Sequence, residues 1–353
     1  MKIKSIYLKD YMLFDNLSLF FSPGINVISG ENNTGKTALI KTIYSLIKAF
    51  ADVKKQKNPV SKEELERIIV SKMVGVFKPE NSSIGRLAIR QQGGSHADLT
   101  LQVDKKSSIS LGFSNKHVKN FGSFDFCMNE KNDAFTPIFI PPKEIISSAA
   151  EYISLYDGYE LGIEETYYDL AKLLLKPLKK GPNTSEQNKI LSSLLDIMNG
   201  DVVQKDNKFY LRVKGTGEFE MNLVSEGYRK LSTIEYLILS GSLDKNSILF
   251  WDEPESNMNP KMIHYVSEVM KALASMGVQI FITTHSYFFQ QAFNIYASYN
   301  KDSNPIDISF YSLYRDNDNK LVVETGKNLS DIEHNAIMEE FEALYDREQR
   351  MME

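Results

Sequence analysis

The sequence predicts an α/β fold built on a mixed and parallel sheet, with an antiparallel β accessory sheet and a helical lobe. Three observations carry that reading. Residues 25–50 run from a short apolar strand through a loop into a helix whose apolar positions Leu39, Ile40, Ile43, Leu46, Ile47 and Phe50 recur at helical spacing. Residues 247–251 form a second strand, apolar at Ile248, Leu249, Phe250 and Trp251. Residues 278–283 form a third, with a helix expected over 261–276 between the two. Uninterrupted apolar strands separated by helices are what a parallel sheet covered on both faces requires.

Ahead of these, Ile3, Ile6 and Leu8 lie among lysines, and 13–21 is a further apolar segment closed by the turn residues Pro23-Gly24. A lysine-rich stretch ending at Pro59 precedes Ser61-Lys62-Glu63-Glu64, which reads as a capping box opening another helix. Short β-rich runs at 86–90, 98–103, 108–113 and 123–128 predict the accessory sheet. A strand at 136–140 stops at Pro141-Pro142, and 143–199 read as helical with a break at Lys179-Lys180-Gly181-Pro182. Residues 202–213 and 218–223 suggest a hairpin, and a helix is expected over 226–240. Asp316 and Asp318 fall in a hairpin turn between 310–314 and 321–323. The acidic tail from Ser330 carries Ile332, Ile337, Phe341 and Leu344 in a helical stripe expected to dock on the body, with a partner-binding tail as the alternative. The division that follows is a split core over 1–50 and 200–353, an accessory β-rich lobe over 51–135 and a helical lobe over 136–199.

A chain of 353 residues, 42% apolar and 25% charged, has the balance of a globular protein with two or three lobes. Its net charge of −5, from 41 basic and 46 acidic residues, gives no global field for DNA or an anionic membrane. Any DNA contact therefore needs a local basic patch or a partner. Lys172, Lys176, Lys179, Lys180 and Lys189 offer such a patch, with an ordinary solvated helix face as the simpler reading. No apolar run reaches the ~18 residues of a membrane span, and Met1-Lys2-Ile3-Lys4 lacks a signal-peptide pattern, so a cytoplasmic chain with no membrane partner is expected. The single cysteine, Cys127, has no disulfide partner and no zinc-binding neighbours, and is expected to be a small buried side chain.

Gly30-Glu31-Asn32-Asn33-Thr34-Gly35-Lys36-Thr37 fits G-x-x-x-x-G-K-[ST] between a strand and a helix. The glycines let the backbone wrap an anion, so that successive N–H groups and the helix N-terminus face phosphate. Lys36 is expected at the β and γ phosphates and the Thr37 hydroxyl on Mg2+. The expected ATP contacts are Gly30, Asn32, Asn33, Thr34, Gly35, Lys36, Thr37 and Ala38. Asp252 and Glu253 end a strand inside the sheet, where isolated charges are costly. Asp252 is expected to hold Mg2+, and Glu253 to act as general base on the attacking water. Parallel strands deliver their C-terminal ends to one crevice, which brings His285 to the γ-phosphate or that water.

The ordered set of phosphate loop, Asp252-Glu253-Pro254 and His285 resembles the ABC-type ATPase heads of the SMC, RecF and OLD families, grouped with AAA-like ATPases of bacterial defence systems of the Septu and PARIS kind. Ile6-Tyr7-Leu8-Lys9-Asp10-Tyr11 followed by Pro23-Gly24-Ile25-Asn26-Val27-Ile28-Ser29-Gly30 resembles their opening strands. Glu253-Pro254-Glu255 continuing to Asn259-Pro260 resembles the segment after their Walker B strand. The likeness covers 1–50 and 220–290. It implies a signature loop at Val224-Ser225-Glu226-Gly227-Tyr228, where Ser225 and the Gly227 N–H meet a γ-phosphate held by a second subunit. ATP would then close a dimer or higher oligomer of the chain with itself. A plain serine N-cap is the alternative for Ser225. Glu226 departs from the family pattern by adding a negative charge that Arg229 and Lys230 are placed to offset; Asn257, Asn259 and Met12 depart from it too. Roughly 190 residues separate Thr37 from Ser225 and contain prolines and β-rich runs, which leaves no long coiled-coil arms. The stretch after His285 is too short for the Toprim nuclease domain of OLD proteins. The resemblance thus implies an ATPase controlling a separate effector, a nuclease in anti-phage defence, with a RecF-like or SMC-like ATPase acting directly on DNA as the alternative.

Overall fold

The computed structural model describes residues 1–55, 60–127, 134–159 and 162–352; Pro59 and Met128 lie outside them. The chain begins β1 (Ser5–Tyr11), β2 (Phe14–Phe20), β3 (Ile25–Gly30), α1 (Lys36–Lys54) and α2 (Lys62–Phe77). Strands β4 (His96–Asp104), β5 (Ser107–Ser114), β6 (Ser123–Cys127) and β7 (Thr136–Ile140) follow. Next come helices α3 (Ala149–Gly158), α4 (Glu165–Leu174) and α5 (Ser185–Met198), then strands β8 (Gly200–Lys205), β9 (Lys208–Val213) and β10 (Gly217–Glu220). The remainder is α6 (Glu226–Leu239), β11 (Ser247–Asp252), α7 (Pro260–Met276), β12 (Gln279–Thr283), α8 (Tyr287–Tyr299), β13 (Ile308–Arg315), β14 (Leu321–Gly326) and α9 (Ala336–Met352).

The central sheet has the order β14-β13-β3-β12-β11-β7, parallel throughout except for β14. Both faces are covered, which is why β3, β11 and β12 are buried along their whole length without alternation. Side chains still divide by parity: Ile248 and Phe250 enter the core containing α1, α2 and the antiparallel strands, while Leu249 and Trp251 enter the core formed by α4 to α8. A second sheet, β2-β1-β4-β5-β6, is antiparallel and lies on the α1 side. A buried polar joint ties it to the first. The Gln279 side chain donates to the carbonyls of Ile3 and Ser22 and accepts from the Ile3 N–H, while Asn26 donates to the Ser22 and Ile280 carbonyls. Every polar atom of Gln279 thereby has a partner, so its burial carries no desolvation penalty from an unmet group.

Several local expectations change. Residues 86–90 form no strand of the accessory sheet: Ile84–Leu87 is a 3-10 turn, joined to β1 only by a bridge between Tyr11 and Ala88. The cause is tertiary, since the Ile84 and Gly85 N–H groups bond the carbonyls of Val118 and His117 and a Cβ on Gly85 would sit 2.7 Å from two carbonyl oxygens. The accessory sheet also incorporates β1 and β2, so the boundary drawn at residue 50 crosses a continuous sheet, and β7, placed in the helical lobe, is an edge strand of the central sheet. The hairpin expected over 202–223 is a three-stranded sheet, β10-β9-β8. Cys127 is exposed, not buried, because the alternation along edge strand β6 turns Phe124 inward and Cys127 out. The stripe on α9 is not buried either; Phe341 stacks on Tyr287, yet Phe341 and Leu344 remain about half exposed. Other readings hold: Ser61 caps α2 by accepting from the Glu64 N–H, and Asp316 closes the β13–β14 turn by accepting from the Asp318 and Lys320 N–H groups. Tyr11 is a core residue, its hydroxyl on Thr42 and its ring against Phe113. Among the described residues no helix is long and apolar enough to cross a membrane.

Glu235 of α6 is buried, and both carboxylate oxygens accept from the Val202 N–H at 3.2 Å. Burial pushes its carboxyl from 4.5 up to about 7, the Val202 N–H opposing and the Asp201 charge assisting. Because the folded state holds this proton more tightly than the unfolded chain, the contribution is complete below about pH 4.5 and is lost as pH rises through about 7. The loss amounts to roughly 3 kcal/mol. Glu235→Gln, which cannot ionise, will therefore raise the unfolding temperature at pH 8 while changing it little at pH 4.5; equal shifts at both, by scanning calorimetry, would contradict the assignment.

Candidate nucleotide-binding site

The C-terminal ends of β3, β11 and β12 lie side by side, with Asp252 paired to Thr283 and Thr283 to Ile28. The loop 30–35 leaves β3 there. Gly30 and Gly35 are both demanded by the backbone: φ is 142° and 87°, and an added Cβ would stand 2.1 Å from the Leu313 carbonyl oxygen in one case and 2.8 Å from the Phe14 ring in the other. Asn33 also takes positive φ, 61°. Thr34 braces the loop by donating to the Glu31 carbonyl, and Lys36 folds back to donate to the carbonyls of Gly30 at 2.9 Å and Glu31 at 2.6 Å. Lys36 is 5% exposed. Burial pulls its ammonium down to about 8, opposed by the charges of Glu253, Asp252, Glu255 and Glu31. A cavity of about 360 Å³ opens over the loop, and Asn32, Lys36, Thr37, Ala38, Glu253 and His285 all line it.

Asp252 is 1% exposed, and its Oδ1 accepts from the hydroxyls of Thr37, at 2.9 Å, and Thr283. Burial raises its carboxyl, and those two hydroxyls pull it back. A carboxylate and a hydroxyl meeting beside a phosphate loop are hard oxygen donors of the kind Mg2+ prefers, so the residues present fit that ion. Glu253 has φ of 46°, and its N–H bonds the carbonyl and hydroxyl oxygens of Thr283, which turns its side chain away from the strand. His285 Nε2 lies 3.7 Å from Glu253 Oε1. Burial and the Lys36 charge lower the His285 pKa, Asp252 opposing.

Ser225 and Gly227 are not among the residues lining this cavity. Ser225 occupies the N-cap position of α6 but makes no side-chain cap bond, and Gly227 faces Met258 and Met262 with space for a Cβ. Of the two cations placed to offset Glu226, Lys230 feels that charge, whereas Arg229 pairs with Glu144. The five lysines of the middle region are partly engaged elsewhere: Lys172 lies over the Tyr168 ring and Lys179 donates to Gln187. Sequence reasoning did not assign Thr283, Thr284 or Glu255. The signal was present, since hydroxyls ending one buried strand beside carboxylates ending its neighbour must pair if the strands are adjacent.

A parallel sheet with phosphate loop, paired carboxylates and histidine at one edge, and an antiparallel sheet beside it, is the fold of an ABC-type P-loop ATPase head. The SMC head solved bound to the C-winged helix domain of ScpA superposes with a TM-score of 0.54 at 11% identity, over 92% of this chain and 98% of that one. A family model described as "AAA ATPase domain" matches residues 1–172, and one described as "AAA domain, putative AbiEii toxin, Type IV TA system" matches 129–289. Curated relatives include the DNA replication and repair protein RecF of Halalkalibacterium halodurans, 24% identical over 65% of this chain and 59% of that protein. RecF of Oceanobacillus iheyensis is 26% identical over 58% of this chain and 51% of its own length. The chain spans little more than half the length of these relatives. In fold the chain is similar to an SMC head, and in sequence it is similar to AAA ATPase domains and to part of RecF.

Replacing Lys36 by Ala removes the cation at the centre of the loop. Affinity for a fluorescent ATP analogue should fall by at least about tenfold, and unchanged affinity would show that the nucleotide binds elsewhere.

Proposed function

We propose that the chain binds ATP with Mg2+ on the loop 30–38, hydrolyses it at an interface between two copies, and uses the cycle to control a separate effector. The observation that carries this is the meeting of Thr37, Glu253 and His285 around one cavity, with buried Asp252 hydrogen-bonded to Thr37 behind it. Backbone N–H groups of the loop and Lys36 would hold the phosphates. Thr37 and Asp252 would hold Mg2+, which when bound neutralises phosphate charge. Glu253, turned off the strand by its positive φ, is placed to take a proton from water, and His285 to hold that water or the γ-phosphate. Ser225, whose hydroxyl makes no cap bond, and the Gly227 N–H stand outside the cavity of their own chain, which suits a contact made in trans. The effector reading, a nuclease in anti-phage defence, rests on the resemblance to compact heads without arms.

A second reading, direct action on DNA, draws support from the RecF relatives. Neutralising Lys172, Lys176, Lys180 and Lys189 separates the two, because loss of salt-dependent DNA binding by the isolated protein favours the RecF-like role.

Glu253→Gln keeps the shape of the site and removes the base. It should bind ATP normally, turn over at least about 100-fold more slowly, and accumulate as a dimer or larger assembly with ATP in light scattering. Turnover at the wild-type rate would sink the catalytic assignment.

A further inference from the structure

Glu255 is a largely buried carboxylate to which the hydrolysis scheme gives no role. Its Oε1 accepts from Thr284 Oγ1 at 2.6 Å and from the His285 backbone N–H at 2.7 Å, which fixes the turn on which His285 stands. Its Oε2 is buried with no hydrogen-bond partner among the described residues. On either side of it in the chain, the Pro254 and Ser256 carbonyls accept from Lys230 Nζ at 3.3 and 2.7 Å, and Ser256 Oγ lies 2.8 Å from the same ammonium. Lys230 is 1% exposed and stands in the first turns of α6, the helix that begins directly after Ser225. One run of hydrogen bonds therefore joins α6, residues 254–256 and the turn at 284–285.

We propose that Glu255 is a positioning residue: it sets the place of His285 beside Glu253 and, through the grip of Lys230 on 254–256, couples that place to the position of α6. The inference rests on the hydrolysis reading above and deepens it. A carboxylate oxygen can accept two donors at once, whereas an aliphatic side chain here would leave the hydroxyl of buried Thr284 without this acceptor and release the His285 N–H from the bond that fixes its turn. The turn would then move to recover partners. His285 reaches Glu253 across 3.7 Å, and a displacement of about 1 Å in such a pair costs on the order of 100-fold in rate. Glu255 is not among the residues lining the cavity over the loop 30–38 and reaches Lys36 only through its charge, which Glu253, Asp252 and Glu31 supply as well.

The test is steady-state ATPase kinetics of the full chain with Mg2+, alongside binding of a fluorescent ATP analogue. Glu255→Ala should lower kcat about 10- to 100-fold while KM and analogue affinity stay within about threefold. Glu255→Gln keeps the accepting oxygen and should recover most of kcat. If the alanine variant is unfolded at the assay temperature, Thr284→Val removes the hydroxyl that donates to Glu255 and accepts from the Ser286 N–H, and should lower kcat about 3- to 10-fold at unchanged affinity. Wild-type kcat in the alanine or, where that is unfolded, the valine variant overturns the assignment, as does a glutamine variant no faster than alanine. A wild-type chain with no turnover that Glu253→Gln abolishes would remove the hydrolysis reading itself, a result distinct from either.

Discussion

The arrangement turns on one carboxylate oxygen. Asp252 Oδ1 receives the hydroxyls of Thr37 and Thr283, so a helix start and two strand ends must stop at the same level. An unpaired carboxylate this deep would cost several kcal/mol, which makes the register of β11 against β12 far from arbitrary. A slip of one residue would carry Asp252 to the opposite face, among the side chains of α4 to α8, and leave Trp251 against α1. Glu253 and His285 inherit their places from this alignment, as the first residue beyond β11 and the second beyond β12.

The second constraint is how two sheets share one core. The antiparallel sheet packs its apolar face on α1 and α2, and the Gln279 and Asn26 side chains seal the seam near the start of β3. Above that seam an aromatic group fills the layer, with Phe250 stacked on Phe281 at 4.9 Å and Tyr44 edge-on to Phe250. Rigid packing under α1 is what holds the loop 30–35 in a shape that excludes side chains at Gly30 and Gly35.

Much of this was legible in the residues. The phosphate loop, the strand of Ile248 to Trp251 and the histidine after 283 each announced both an element and a chemical group, because burial and chemistry pointed the same way. Partner choice was not legible. Nothing in the alternation of β4 says that β1 is its neighbour, and nothing in Cys127 says that its strand lies at an edge. Residues 86–90 had strand composition, but the carbonyls of His117 and Val118, some thirty residues away, decided their backbone. The stripe on α9 has core spacing and stays largely in solvent, since periodicity reports a face without reporting what covers it.

The order of the central sheet also sets a timetable. β3, which ends in the phosphate loop, takes its two neighbours from β12 and β13, residues 279–315. On the ribosome β3 therefore emerges on the order of ten to fifty seconds before its two neighbouring strands exist, at the ordinary rate of synthesis. The strand that leads into the phosphate loop is thus made early and paired late, and until then it must be kept from pairing with the wrong edge.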